Sequence, residues 1–194
     1  MFLLTLALVC LIPCRGVGAG QSILEGEVER YVKSLRSKGT IQRNERTAWL
    51  VYDFTAGKKL VSINENEQLQ AASMIKPYLA LAFFHQVRAG KLIYGSTSRR
   101  HMELMIQKSN NTSTNWVMRQ TGGPVATAAL LRRHYPSLCR QLHLVEYVPA
   151  GGRTYRNLGS AGDYGRFLQS LWNGGLPHSK EILRLMGLPC RDRL

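Results

Sequence analysis

Residues 73–92 read SMIKPYLALAFFHQVRAGKL, and this stretch predicts the central element of the fold. Its residues are apolar around nearly the whole helical circumference, which predicts a helix buried inside the domain. Proline is tolerated in a helix only within the first turn, where its missing amide hydrogen would have no partner. Pro77 therefore places the helix start close to Ser73, and Gly90 marks its far end.

A helix and a β-hairpin are predicted before this buried helix. Residues 25–37 carry apolar side chains at helical spacing, and Gly39 ends that pattern. Residues 47–54 and 59–63 have the composition of two strands joined by a turn. Two strands alone do not form a stable sheet, so the hairpin needs further strands, and the sequence predicts none elsewhere.

After the buried helix, the chain is predicted to be helical apart from one long loop. Five helices are expected, over residues 101–107, 114–120, 125–134, 163–172 and 179–186. The glycine-rich loop spans residues 146–162, and a loop of that length is usually functional or disordered. This order of elements predicts an α+β fold with a helical part and an antiparallel sheet, of which only the N-terminal hairpin is present.

The composition is that of a globular protein and argues against disorder, with 44% hydrophobic and 20% charged residues. The formal net charge is +14. Such a charge fits an ordinary solvated surface, and it also fits attraction to an anionic cell-wall polymer or membrane. The basic residues are scattered and no nucleic-acid motif accompanies them, so we expect no nucleic-acid partner.

Residues 1–19 are predicted to be a signal peptide. The apolar run over residues 2–13 is shorter than the roughly 20 residues that a spanning helix needs, and Val17 and Ala19 fit a peptidase site with cleavage after Ala19. Alternatives are a lipoprotein acylated on Cys14 and a buried N-terminal helix. The remaining chain is expected to be exported, to the periplasm or outside the cell, without a membrane span.

The cysteines and histidines give no sign of a metal site. Cys139 and Cys190 remain after export and could pair in an oxidising compartment, but two cysteines make no disulfide framework. The spacing of cysteine and histidine does not suggest zinc, and no organic cofactor is implied. His85 lies in the buried helix and is interpreted as structural.

Ser73 and Lys76 form a Ser-x-x-Lys pattern at the start of the buried helix. Three residues along a helix place both side chains on one face. A serine hydroxyl needs a base to become a nucleophile, and apolar surroundings favour the neutral lysine that can act as that base. The alternative is a helix N-terminal serine beside a lysine whose amine reaches the solvent.

A second motif, Ser109-Asn110-Asn111, follows in the order found in a known family. With Ser73-x-x-Lys76, it resembles the penicillin-recognising serine hydrolases, and the class A β-lactamases most closely. The family has Ser-Asp-Asn here, often continued as Thr-x-x-Asn. The resemblance implies that Ser73 is the nucleophile, Lys76 its base, Ser109 a proton relay to the leaving nitrogen, and Asn111 the ligand of the substrate's side-chain amide. The alternative is an Asx-rich turn.

The resemblance continues weakly through two later segments and implies a β-lactamase/transpeptidase-like fold. Residues 155–163 are similar to the end of the family's Ω-loop, and residues 176–186 to the helix that follows. Glu146 stands near the glutamate that activates water for deacylation in class A enzymes. Position 150 is alanine, where that family has asparagine.

Two further departures concern the length of the chain. Ser73 and Ser109 are 36 residues apart, fewer than is usual in class A enzymes. No Lys-Thr-Gly or Lys-Ser-Gly occurs, although the family uses that strand to bind the substrate carboxylate. We therefore expect residues 20–194 to be a domain truncated before that strand, with a helix-plus-hairpin part over 20–72 and a helical part over 73–194.

Together these patterns predict a serine hydrolase of the β-lactamase type. Its partner would be a small-molecule β-lactam or a peptidoglycan stem peptide, bound by a monomer without metal or cofactor. One alternative is a penicillin-binding D-Ala-D-Ala peptidase or a sensor that deacylates slowly. The other is a non-catalytic cell-wall binding protein or a truncated inactive product.

Overall fold

A computed structural model describes residues 22–149 and 156–189 of the chain. Within these residues the chain forms seven α-helices and two small antiparallel sheets of two strands each, so the predicted α+β class with a partial sheet is confirmed. None of the described helices is long and apolar enough to cross a membrane. The predicted signal peptide, including Cys14, lies outside the described residues, as does Cys190.

The bounds of the elements are as follows. The helices are α1 (Ile23–Ser37), α2 (Ile75–Arg88), α3 (Ser96–Gln107), α4 (Asn111–Gln120), α5 (Pro124–His134), α6 (Ala161–Trp172) and α7 (Ser179–Met186). The strands are β1 (Trp49–Asp53), β2 (Lys58–Ile63), β3 (Leu69–Gln70) and β4 (Leu158–Gly159).

Helix α2 is the centre of the hydrophobic core, as its sequence predicts. Every residue from Ile75 to Phe84 is buried, and helices α3, α4, α5 and α7 pack around it. The ring of Tyr78 lies 4.8 Å from that of Phe167 in α6. Pro77 lies in the first turn, where no intrahelical partner is lost. The α-helical part is shorter than the predicted 73–92, because residues 72–74 form a separate 3₁₀ turn.

The predicted hairpin is confirmed. Strands β1 and β2 pair antiparallel, and the register shifts between Val51 and Tyr52. The turn is closed by the Asp53 carboxylate, which accepts hydrogen bonds from the amides of Thr55 and Ala56. Helix α1 packs on β2 and α6 packs on β1, so the hairpin links the N-terminal helix to the helical part.

The sequence predicts no strand after the hairpin, and this is wrong. Leu69 of β3 pairs with Gly159 of β4, and Gln70 pairs with Leu158. Two-residue strands are too short to show an alternating pattern, and their partners are far apart in the chain. This small sheet matters because it ties the residues just before Ser73 to the end of the 146–162 loop.

Asp163 in the first turn of α6 is fully buried and holds three parts of the chain together. Its carboxylate pairs with the Arg166 guanidinium and accepts a 2.6 Å hydrogen bond from the Gln141 amide. Arg166 in turn donates to the Ser137 carbonyl at 2.7 Å. A negative side chain in this first turn also interacts favourably with the helix dipole.

We expect Asp163→Ala to lower the free energy of unfolding by about 3–5 kcal/mol, because breaking a buried ion pair leaves the other charge uncompensated. Urea unfolding followed by far-ultraviolet circular dichroism would measure this. The matched control is Asp53→Ala, which removes only the exposed turn hydrogen bonds and should cost about 1 kcal/mol. Equal costs for both variants would contradict this account of α6.

Candidate active site

The turn that carries Ser73 is held in an unusual backbone conformation. Ser73 is the middle residue of the 3₁₀ turn Ala72–Met74, directly before α2. Ala72 has a φ of +44°, in the left-handed region that a residue with a Cβ seldom adopts. The Ala71 amide donates to the Asn157 carbonyl at 2.9 Å. The turn is thus fixed by α2 on one side and by the end of the loop on the other, with Ser73 exposed at its tip.

Lys76 brings the four residues of the two motifs together. Its Nζ lies 3.1 Å from Ser73 Oγ, 2.6 Å from Ser109 Oγ, 2.6 Å from the Ser109 carbonyl and 3.1 Å from Asn111 Oδ1. Ser73 Oγ and Ser109 Oγ are 2.8 Å apart, and either can be the donor. Lys76 is only 3% exposed, so its amine exchanges water for these partners.

Ser109 and Asn111 are positioned by the start of α4. Ser109 has a φ of +54°, and Asn110 is the N-cap, whose side chain accepts a 2.8 Å hydrogen bond from the Ser113 amide. Asparagine and aspartate are about equally good N-caps. The departure from Ser-Asp-Asn at position 110 therefore keeps the helix start, and with it the positions of Ser109 and Asn111.

A cleft of about 230 Å³ opens beside these residues. It is lined by Ser73, Met74, Lys76, Pro77, Ile106, Ser109, Tyr164 and Met186. Burial raises the pKa of Tyr164, so its hydroxyl stays protonated at neutral pH. The described lining of the cleft therefore combines the Lys76 amine with two serine hydroxyls and an apolar wall.

Glu146 lies at the neck of the loop. Its carboxylate accepts a 3.0 Å hydrogen bond from the Arg156 amide. The fully buried Asn157 side chain accepts from the amides of Val145 and Glu146 and donates to the Glu146 carbonyl at 3.0 Å. Asn157 thus closes the loop with an amide that offers both an acceptor and a donor. The predicted catalytic role of Glu146 stays a prediction.

Two asparagines that hold the site were absent from the residues predicted by sequence. Asn115 donates to the Val148 carbonyl at 2.7 Å and accepts from the Val148 amide at 2.8 Å. The family's Thr-x-x-Asn continuation, which Thr112 to Asn115 satisfies, is the signal that could have found it. Asn157 lies in the segment 155–163 that is similar to the end of the family's Ω-loop, but that similarity assigned it no role, and only the fold reveals one.

The described residues offer no metal site, since no three histidine, cysteine, aspartate or glutamate side chains cluster closely enough among them. Cys139 is buried, and burial raises the pKa of its thiol to about 12. The reactive thiolate form is therefore scarce at neutral pH. Pairing with Cys190, which the sequence leaves open, would involve a residue outside the described part of the chain.

Comparison with known proteins gives consistent matches. The Beta-lactamase enzyme family matches over residues 27–98 and 94–189. An ancestral (GNCA) class A β-lactamase superposes with a TM-score of 0.62 at 21% identity, covering 79% of this chain and 68% of that one. A β-lactamase from Xanthomonas campestris pv. campestris superposes with a TM-score of 0.69 at 16% identity, covering 89% and 72%. At these identities the two structures show the fold alone. No curated protein sequence matches.

Proposed function

This chain belongs to the β-lactamase enzyme family and is related to its serine hydrolases, and we propose that β-lactams acylate it at Ser73. The observation that carries the proposal is the position of one buried amine, Lys76 Nζ, 3.1 Å from Ser73 Oγ and 2.6 Å from Ser109 Oγ. An amine within hydrogen-bond reach of a hydroxyl is the arrangement that activates a serine nucleophile.

The contacts of Lys76 suit a neutral amine that serves as base. The Ser109 carbonyl and Asn111 Oδ1 can only accept hydrogen bonds, so they take the two hydrogens of the neutral amine. The lone pair then faces the hydroxyl of Ser73 or of Ser109. The proton of Ser73 can pass to Lys76 directly, or through Ser109, whose Oγ is 2.8 Å from Ser73 Oγ.

Acylation then follows from these positions. Ser73 Oγ attacks the lactam carbonyl carbon while its proton moves to Lys76. Amides at the start of α2 are available to the oxyanion. The carbon–nitrogen bond breaks as Ser109 delivers a proton to the lactam nitrogen and regains one from Lys76. Asn111 keeps its Nδ2 hydrogens for the carbonyl of a substrate side chain, because its Oδ1 is occupied by Lys76.

The same chemistry would serve a peptidoglycan stem peptide, whose amide would acylate Ser73 in the same way. We propose that the chain is exported, to the periplasm or outside the cell, because of the leader-like residues 1–19. The resulting ester on Ser73 would be released by water.

Labelling of the full chain with a fluorescent penicillin tests the proposal. Support would be a saturable band of one label per folded chain, blocked by excess unlabelled penicillin and lost after heat unfolding. If the folded chain takes no label, or labels equally after unfolding, the proposal fails. The non-catalytic cell-wall binding alternative would then gain support.

A further inference from the structure

We propose that the loop presents Val148, rather than a carboxylate, to the acylated Ser73, so that the ester formed by a β-lactam is long-lived. This inference rests on the proposed function, since it concerns the second half of the same reaction. It would make β-lactams lasting ligands of this protein instead of rapidly consumed substrates.

Asn157 and Asn115 fix the path of the loop backbone over residues 145–148. The Asn157 carbonyl accepts from the Ala71 amide, two residues before Ser73, and the Asn157 side chain holds the backbone of Val145 and Glu146. Three residues after Val145, the backbone of Val148 is bound by Asn115 of α4. The segment 145–148 therefore runs from the nucleophile turn to α4.

Val148 is placed relative to the Lys76 amine by two asparagines of α4. Asn111 and Asn115 are four residues apart on α4, so they share one face of the helix with about 6 Å between their Cβ atoms. Asn111 Oδ1 lies 3.1 Å from Lys76 Nζ. The backbone of Val148, fixed on Asn115, is therefore one helical turn from that contact, and its side chain is 6% exposed.

The two residues before Val148 each make a side-chain contact outside the candidate site. The Tyr147 hydroxyl lies close to Gly123. A Cβ atom at position 123 would be only 3.1 Å from the Tyr147 hydroxyl oxygen. The Glu146 carboxylate accepts from the Arg156 amide at the neck of the loop. The Glu146 carboxylate thus helps to close the loop where the Asn157 side chain binds the Glu146 backbone.

No other carboxylate can replace Glu146 in this segment. The sequence from Tyr147 to Gly162 contains neither aspartate nor glutamate. Asp163, the next acidic residue, is fully buried against Arg166 and the Gln141 amide.

A valine at this position affects the attack of water on the ester. Release of the ester requires a water oxygen to attack the acyl carbon, the water proton to pass to a base, and the bond to Ser73 Oγ to break with return of a proton to that oxygen. Valine cannot accept the proton. A positioned general base typically contributes about 10²- to 10⁴-fold to such a step, and its absence at position 148 predicts slow release.

The lifetime of the penicillin ester on the protein tests this inference. The full chain is labelled with fluorescent penicillin, excess reagent is removed, and the label remaining on the protein is followed over time. We expect the wild-type label to persist for hours and Val148→Glu to shorten its lifetime at least about tenfold. The matched control Val145→Glu adds the same side chain at an exposed loop position and should leave the lifetime unchanged.

Two outcomes would overturn the inference: rapid loss of label from the wild type, or a longer-lived label in Glu146→Gln, which would identify Glu146 as the base. Glu146→Gln can be measured even if Val148→Glu does not fold. Complete absence of labelling in the wild type would instead overturn the proposed function, so the two failures are distinguishable.

Discussion

Ser73→Ala is expected to remove covalent labelling by penicillin, because alanine has no oxygen to form the ester. Loss of a serine nucleophile lowers the rate in a serine protease on the order of 10⁶-fold, so labelling should be undetectable. Ser73 is exposed at the tip of its turn, and the variant should fold normally. Labelling stoichiometry, with near-ultraviolet circular dichroism as a check on folding, gives the measurement.

The matched control for this variant is Ser62→Ala, an exposed serine of β2 outside the candidate site. It should label with the wild-type stoichiometry. Retention of label by folded Ser73→Ala would mean that another group is acylated, and the assignment of the nucleophile would be wrong.

Lys76→Met is expected to slow labelling about 10²- to 10⁴-fold, the usual contribution of a positioned general base. Methionine keeps most of the buried side-chain volume but cannot take the proton of Ser73. It also leaves the Ser109 carbonyl and Asn111 Oδ1 without the amine that they bind. The second-order rate constant of labelling measures the effect, and urea unfolding separates it from lost stability.

Lys91→Met serves as the control, because Lys91 is exposed after the end of α2. Its labelling rate should match the wild type. An unchanged rate in Lys76→Met would show that the close approach of the amine to Ser73 Oγ does not contribute to acylation.

The core could be predicted from sequence because its signal is local. Residues 73–92 are apolar around the helix, and Pro77 fixes where the helix begins, so α2 was recognisable without any tertiary contact. The hairpin was recognisable for the same reason. Helices α3 and α4 begin at Ser96 and Asn111, earlier than predicted, because their first turns are polar and show no apolar spacing.

The residues that connect distant parts of the chain could not be predicted in this way. Strands β3 and β4 pair across about ninety residues, as the register of Leu69 with Gly159 shows. Asn157 is recognisable as the closure of the loop only when its contacts with Glu146 and with Ala71 are seen.

The candidate site also has residues that short motifs predict and a residue that depends on the closure of a long loop. Ser73, Lys76, Ser109 and Asn111 belong to two short motifs, and the fold brings Ser73, Ser109 and Asn111 within hydrogen-bond distance of the Lys76 amine. Glu146 was chosen from its position in a long loop, where register is weakly specified by sequence. Its contact with Arg156 depends on how that loop closes.

Locating the acyl group on the protein tests directly whether Ser73 is the nucleophile. The full chain would be reacted with unlabelled penicillin, digested, and analysed by tandem mass spectrometry. We expect one penicillin adduct, on the peptide that contains Ser73 and on the Ser73 oxygen itself. An adduct on Ser109 or on the Lys76 amine, with Ser73 unmodified, would contradict this expectation.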